Sequence, residues 1–154
     1  MQIIHGKSSV FKKPELIVNG GFENGNPPSS WDPNGSPTIT RVADPSTGSA
    51  GAYCINIARG SDSDTCVQSS IPTIAGRSYT FSGWFKNIDA TSIRATIYDS
   101  AWNVLGSTDA VTGASWETKS KAFTAAGTST AVYIEMVGSA GNQARFDDFS
   151  IRLT

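Results

Sequence analysis

The sequence predicts an all-β protein built as a sandwich of two antiparallel sheets. Three observations carry that expectation. Branched residues dominate the apolar set, with 13 Ile and 8 Val beside 15 Thr, against three Leu, at Leu16, Leu105 and Leu153. Two heavy atoms on Cβ crowd a helical turn and suit a pleated strand. Turn formers, 15 Gly and 7 Pro, separate short alternating runs at roughly the eight-to-twelve-residue spacing of a sandwich. The chain has 154 residues, enough for one core of ordinary size and too few for two.

Residues 1–14 read as a basic arm. They carry Lys7, Lys12 and Lys13 with no acid, so the arm is +3 and the remainder of a chain of net charge −1 is −1 − 3 = −4. Ile3, Ile4, Val10 and Phe11 accompany the lysines, a mixture that cannot bury itself and is expected to order by docking on a neighbouring subunit or a capsid surface. Pro14 marks where the domain, 15–154, begins. Strands are expected at 15–19, 37–43, 52–58, 65–71, 77–87, 92–99, 115–124, 130–137 and 144–153.

Period-two alternation assigns the faces of three of these. In the run from Tyr79 to Lys86, Tyr79, Phe81 and Phe85 take the core, while Thr80, Ser82, Trp84 and Lys86 face outward. Ile93, Ala95 and Ile97 are core, with Arg94, Thr96 and Tyr98 outside; Val132, Ile134 and Met136 are core, with Tyr133 and Glu135 outside. If these strands share a sheet, Trp84, Tyr98, Tyr133, Arg94 and Glu135 form one surface. Flat rings stack on the C–H faces of a sugar, and charged or amide groups take its hydroxyls.

Asn19-Gly20-Gly21-Phe22-Glu23, Ser30-Trp31, the run Gly51 to Ile57, the run Ala75 to Ser82, Ser115-Trp116 and the run Phe146 to Ile151 follow one another in order over residues 16–153. This series resembles the carbohydrate-binding modules of the family 4, 9, 16 and 22 group. The resemblance implies a jelly-roll β-sandwich without catalytic activity, binding a polysaccharide or cell-surface glycan on a concave sheet. It implies stacking on Trp84, with Trp102, Tyr98 and Tyr133 as further rings and Arg94, Glu135 and Gln68 as polar partners. Trp116 is structural in this pattern, and Trp31 either covers one end of the core or lines the cleft. Gly83 departs from it, since the family carries a larger apolar residue there.

The same resemblance implies a structural calcium held by Glu23 and Asp147, with oxygens from Gly21, Ala52 and Ser49; a hard cation takes six to eight of them. Similar domains occur in phage virion proteins, so a second reading is a capsid decoration or fibre protein that assembles through residues 1–14, with copies of itself or with other virion proteins. Cys54 and Cys66 flank a turn centred near residue 60, which in a hairpin would set them opposite each other within disulfide range. Two buried thiols are the alternative.

Other classes are disfavoured. The single histidine is His5, in the arm, which leaves no histidine triad for an enzyme. A net charge of −1 provides no basic face for nucleic acid. No apolar run approaches the ~20 residues of a membrane span, and the N-terminus lacks the apolar stretch of a secretory signal. The expected location is extracellular or on a virion surface.

Overall fold

The computed structural model describes residues 13–61 and 65–154. The expected role of the arm in assembly falls on residues 1–12, outside the described residues. Ten strands follow in chain order: β1 (Asp32–Asn34), β2 (Thr38–Val42), β3 (Cys54–Ala58), β4 (Thr65–Pro72), β5 (Ser78–Asn87), β6 (Ser92–Asp99), β7 (Val104–Ser107), β8 (Glu117–Thr124), β9 (Ser129–Val137) and β10 (Gln143–Leu153). They form two five-stranded sheets, ordered β1-β4-β9-β6-β7 and β2-β3-β10-β5-β8, and every pairing is antiparallel. This is a jelly-roll β-sandwich, as the sequence predicts.

The alternation assigned above holds in β5, β6 and β9: Tyr79, Phe81, Phe85, Ile93, Ala95, Ile97, Val132, Ile134 and Met136 are all buried between the sheets. Two short strands, β1 and β7, escape the sequence pattern because three or four residues make too little alternation to register. The strand expected at 15–19 does not form. One ladder-like bond ties it to β10, from Leu16 N to the Ile151 carbonyl at 3.1 Å. Side chains take the amides that follow, Ile17 N giving to Glu15 Oε1 and Val18 N to Gln68 Oε1.

The hub of the core is Phe149, whose ring lies 5.1–6.0 Å from those of Phe22, Trp31, Phe81, Phe85 and Phe146. A bulge in β10 places it there. The β5–β10 register breaks between Asp147 and Ser150, and Asp148 takes a left-handed φ of 48°. One extra residue therefore lets Phe146, Phe149 and Ile151 all point inward. Gly83 is core-facing directly beneath: a Cβ there would lie 2.3 Å from Phe149 Cδ1. The departure from the family pattern is thus the space this ring occupies. Gly20 meets the same residue from the other side, since a Cβ on it would lie 1.9 Å from the Phe149 carbonyl oxygen. That close approach lets Phe149 N donate to the Gly20 carbonyl at 2.9 Å.

The expected hairpin between Cys54 and Cys66 is absent. β3 pairs with β2 and β10, and β4 pairs with β1 and β9, in the other sheet. Ile55 and Ile57 take the core side of β3, which turns Cys54 away from it, whereas Cys66 belongs to the core. Both are buried thiols rather than a disulfide, and burial pushes each up to about 12.

Candidate functional site

The outer face of the first sheet gathers most of the residues singled out for sugar binding. β6 and β9 set Arg94 opposite Glu135, Thr96 opposite Tyr133 and Tyr98 opposite Ala131. Arg94 Nε donates to Glu135 Oε2 at 2.6 Å and the Tyr98 hydroxyl donates to Glu135 Oε1 at 2.9 Å. Burial, and then the hydrogen bond to the Glu135 carboxylate, push the Tyr98 hydroxyl up to about 12. It therefore remains a donor throughout the neutral range.

Three rings cluster beside this pair. Tyr98, Tyr133 and Trp102 have centroids 5.3–6.1 Å apart and meet edge to face, the arrangement their quadrupoles favour. Tyr98 and Tyr133 are half-buried, whereas Trp102 is 56% exposed. The β6–β7 turn holds Trp102 in a left-handed conformation with φ 64°, which an aromatic residue adopts only under local constraint. Asp99 supplies that constraint. Its Oδ1 accepts from Ala101 N at 2.8 Å and Asn103 N at 2.9 Å, and its Oδ2 from Asn103 Nδ2 at 3.0 Å. The bonds from Asn103 hold its carboxyl below the usual range. Next to Trp102 lies a pocket of about 230 Å³ lined by Ser69, Ser70, Asp99, Ser100, Ser129, Thr130 and Ala131. Asp99 and these pocket residues were not singled out from sequence, because only the fold brings the ends of β4, β6 and β9 together.

Two residues do not join the surface. Trp84 lies in β5, between Asp147 of β10 and Thr118 of β8. It is therefore half-buried on the outer face of the second sheet, across the core from Tyr98 and Tyr133. The assumption that the three strands share a sheet fails. Gln68 is buried, and its amide is consumed by the 16–31 segment: Nε2 donates to the carbonyls of Val18 and Ser30, and Oε1 accepts from Val18 N. Trp31 is core, 3% exposed, with Nε1 donating to the Asn19 carbonyl at 3.2 Å. Trp116, expected in the core, is instead half-buried beside Trp84's sheet face, with Lys86 Nζ 5.7 Å from its ring centroid. Lys86 and Arg145 both pair with Asp44 there.

The residues implied for a cation fall into two groups, one around Glu23 and one around Asp147. Glu23 Oε1 accepts from Ala52 N and Tyr53 N at 3.0 and 2.9 Å. A Cβ on Gly51 would touch both Glu23 Oε1 and Ser49 Oγ, and one on Gly21 would approach Asp148 Oδ1. Asp147 has no exposed surface; Ser46 N donates to its Oδ2 at 2.7 Å and Asp148 N to its Oδ1 at 2.8 Å. Burial, with Asp148 adding repulsion, raises its carboxyl above the ordinary range. Among the described residues no ion pair reaches Glu23, Asp147 or Asp148. The nearby Arg41 donates instead to the Glu23 carbonyl and lies 4.1 Å over the Tyr53 ring. Nor do three His, Cys, Asp or Glu side chains gather as a metal cluster among the described residues.

A family profile described as carbohydrate binding domain matches residues 14–142. The chain belongs to that family. No curated protein matches the sequence. Among solved structures, the carbohydrate-binding fold recurs in the CBM22-1 xylan-binding domain of Xyn10C from Paenibacillus barcinonensis, with a TM-score of 0.69 at 18% identity, over 92% of this chain and 95% of that one. It recurs in TmCBM61 in complex with β-1,4-galactotriose, with a TM-score of 0.67 at 19% identity, over 92% and 99%. The tailspike protein 4 of bacteriophage CBA120 contains it too, with a TM-score of 0.69 at 17% identity, over 91% of this chain. The chain spans only 21% of the length of that tailspike and 26% of an α-L-arabinofuranosidase of similar fold. No helix of the described residues is long and apolar enough to cross a membrane.

Proposed function

We propose that this domain is a non-catalytic module that binds a glycan across the outer face of the first sheet, outside the cell or on a virion surface. The observation that carries the reading is the ring cluster of Trp102, Tyr98 and Tyr133 beside the Arg94–Glu135 pair. An exposed indole face offers stacking, and donors and acceptors already fixed in place limit the ordering cost of binding. The xylan and galactotriose named with similar folds suggest the first probes. In affinity electrophoresis the protein is expected to be retarded by at least one soluble β-1,4-linked polysaccharide of a panel including xylan and galactan. Unretarded migration on the whole panel, with no signal on a glycan array, would overturn the reading.

We further propose that Glu23 and Asp147, with oxygens of Gly21, Ser49 and Ala52, hold a structural calcium ion. The donor set is hard oxygen, and among the described residues no cationic side chain pairs with its carboxylates. A bound divalent cation would supply the missing positive charge. Without it, Asp147 has a raised folded-state value. Stability is then unaffected by Asp147 at pH below the ordinary carboxylate range, and falls as pH rises through that range toward the raised value. Excess chelator at neutral pH should lower the melting temperature by several degrees, about 3–6 °C. An unchanged melting curve, with no metal by elemental analysis, would exclude the ion.

A further inference from the structure

One backbone irregularity shapes the end of the first sheet's outer face. β4 pairs Gln68 with Val132 and Ile71 with Thr130 of β9, so Ser69 and Ser70 together oppose the single Ala131. Ser70 takes a left-handed φ of 59°, and both serines are exposed. A bulge of this kind bends its strand and interrupts the ladder beside it. The recess of about 230 Å³ is bounded by this bulge and by Trp102, with Ala131 and the Asp99–Thr130 pair that ends the β6–β9 ladder also lining it. Ser69 and Ser70 line a second, separate groove with Asp32 and Gln68, so the bulge is a partition between the two.

We infer that this recess seats a neutral terminal sugar of the glycan, whose chain runs back from Trp102 along β6 and β9 toward the Arg94–Glu135 pair. The inference rests on the glycan reading above and adds the direction of the chain and the nature of its end. Trp102 belongs both to the ring cluster and to the lining of the recess, so one indole joins the two. Tyr98, Thr96 and Arg94 follow one another on the same face of β6 and span about 14 Å at about 3.4 Å per residue, room for a short run of sugars parallel to the strands. The bulge closes the far side, so a chain that enters the recess stops there. Bonds from Asn103 hold the Asp99 carboxyl below its usual range, which keeps it charged at neutral pH, and among the described residues none that lines the recess is cationic. A terminal uronic acid would therefore be repelled.

The test is isothermal titration calorimetry of the full chain with β-1,4-linked xylo- and galacto-oligosaccharides of two to six units and with the parent polysaccharides. In the series that binds, affinity is expected to level off at three or four units. On the polysaccharide, the number of sites should match the number of chain ends. Ser69→Tyr and Ala131→Leu, which crowd the recess from its wall and its floor, should each weaken the six-unit ligand tenfold or more with an unchanged far-ultraviolet circular dichroism spectrum. Ser69 is exposed, so its variant carries the test on its own if Ala131→Leu does not fold. A six-unit ligand ending in a uronic acid should bind at least tenfold more weakly than its neutral counterpart. Affinity that keeps rising to six units, sites spaced along the polysaccharide, unchanged binding by Ser69→Tyr, or equal binding of the acidic ligand would overturn the inference while leaving glycan binding in place. Binding to neither series and to neither polysaccharide would remove the glycan reading and this inference together.

Discussion

Replacing Gly83 with alanine is expected to lower the melting temperature by about 6–12 °C, corresponding to about 3 kcal/mol at the usual slope for a domain of this size. The added Cβ would sit 2.3 Å from Phe149 Cδ1 and 2.6 Å from Cε1. The ring cannot withdraw, because Phe22, Trp31, Phe81, Phe85 and Phe146 surround it, and close-packed interiors yield little to an extra methyl group. The strain must therefore move β5 or β10. A second change, Phe149→Leu, should recover part of the loss in the Gly83→Ala background while being destabilising alone. Thermal unfolding followed by circular dichroism decides it: a Gly83→Ala variant that melts within about a degree of the parent would show that the ring is not confined.

Trp102→Ala is expected to weaken glycan binding tenfold or more, a loss of about 1.4 kcal/mol or above, with little change in melting temperature. The indole is 56% exposed, so its removal leaves no buried cavity, and Asp99 continues to organise the turn through backbone amides. Trp84→Ala provides the control, because it removes the same ring from the second sheet and should leave binding unchanged. Equal loss in both variants would place the sugar elsewhere. Retained binding by Trp102→Ala would remove the exposed ring from the site.

The two substitutions mark where sequence reasoning succeeds and where it stops. Alternation identifies the outward face of each strand, because side-chain direction is a local property of the pleat. Arg94, Tyr98, Tyr133 and Glu135 were legible on that ground. Alternation does not say which sheet a strand joins. Trp84 points outward as expected, but β5 lies beside β10 and β8, and nothing in its own residues records those neighbours. Cys54 and Cys66 fail for the same reason, since a turn that leads across the sandwich has the same residues as one that folds a hairpin. Gln68 shows a third limit. A polar residue in a strand looks like a surface residue until the adjoining loop is seen to need its amide for Val18 and Ser30. Gly83 was visible as an anomaly, and its explanation lay 66 residues away, at Phe149.

The position of β10 has a consequence for the order in which the molecule can be made. The last strand of the domain, β10, lies in the middle of its sheet, between β3 and β5, and its bulge carries the ring around which the core closes. A nascent chain that has emerged only as far as β9 holds β5 and β8 on one side of a gap and β2 and β3 on the other, with no backbone partner for the inner edges. The second sheet can be completed only after residues 143–153 leave the ribosome. Cooperative folding of this domain therefore waits for β10, is dominated by contacts between distant parts of the chain and is correspondingly slow.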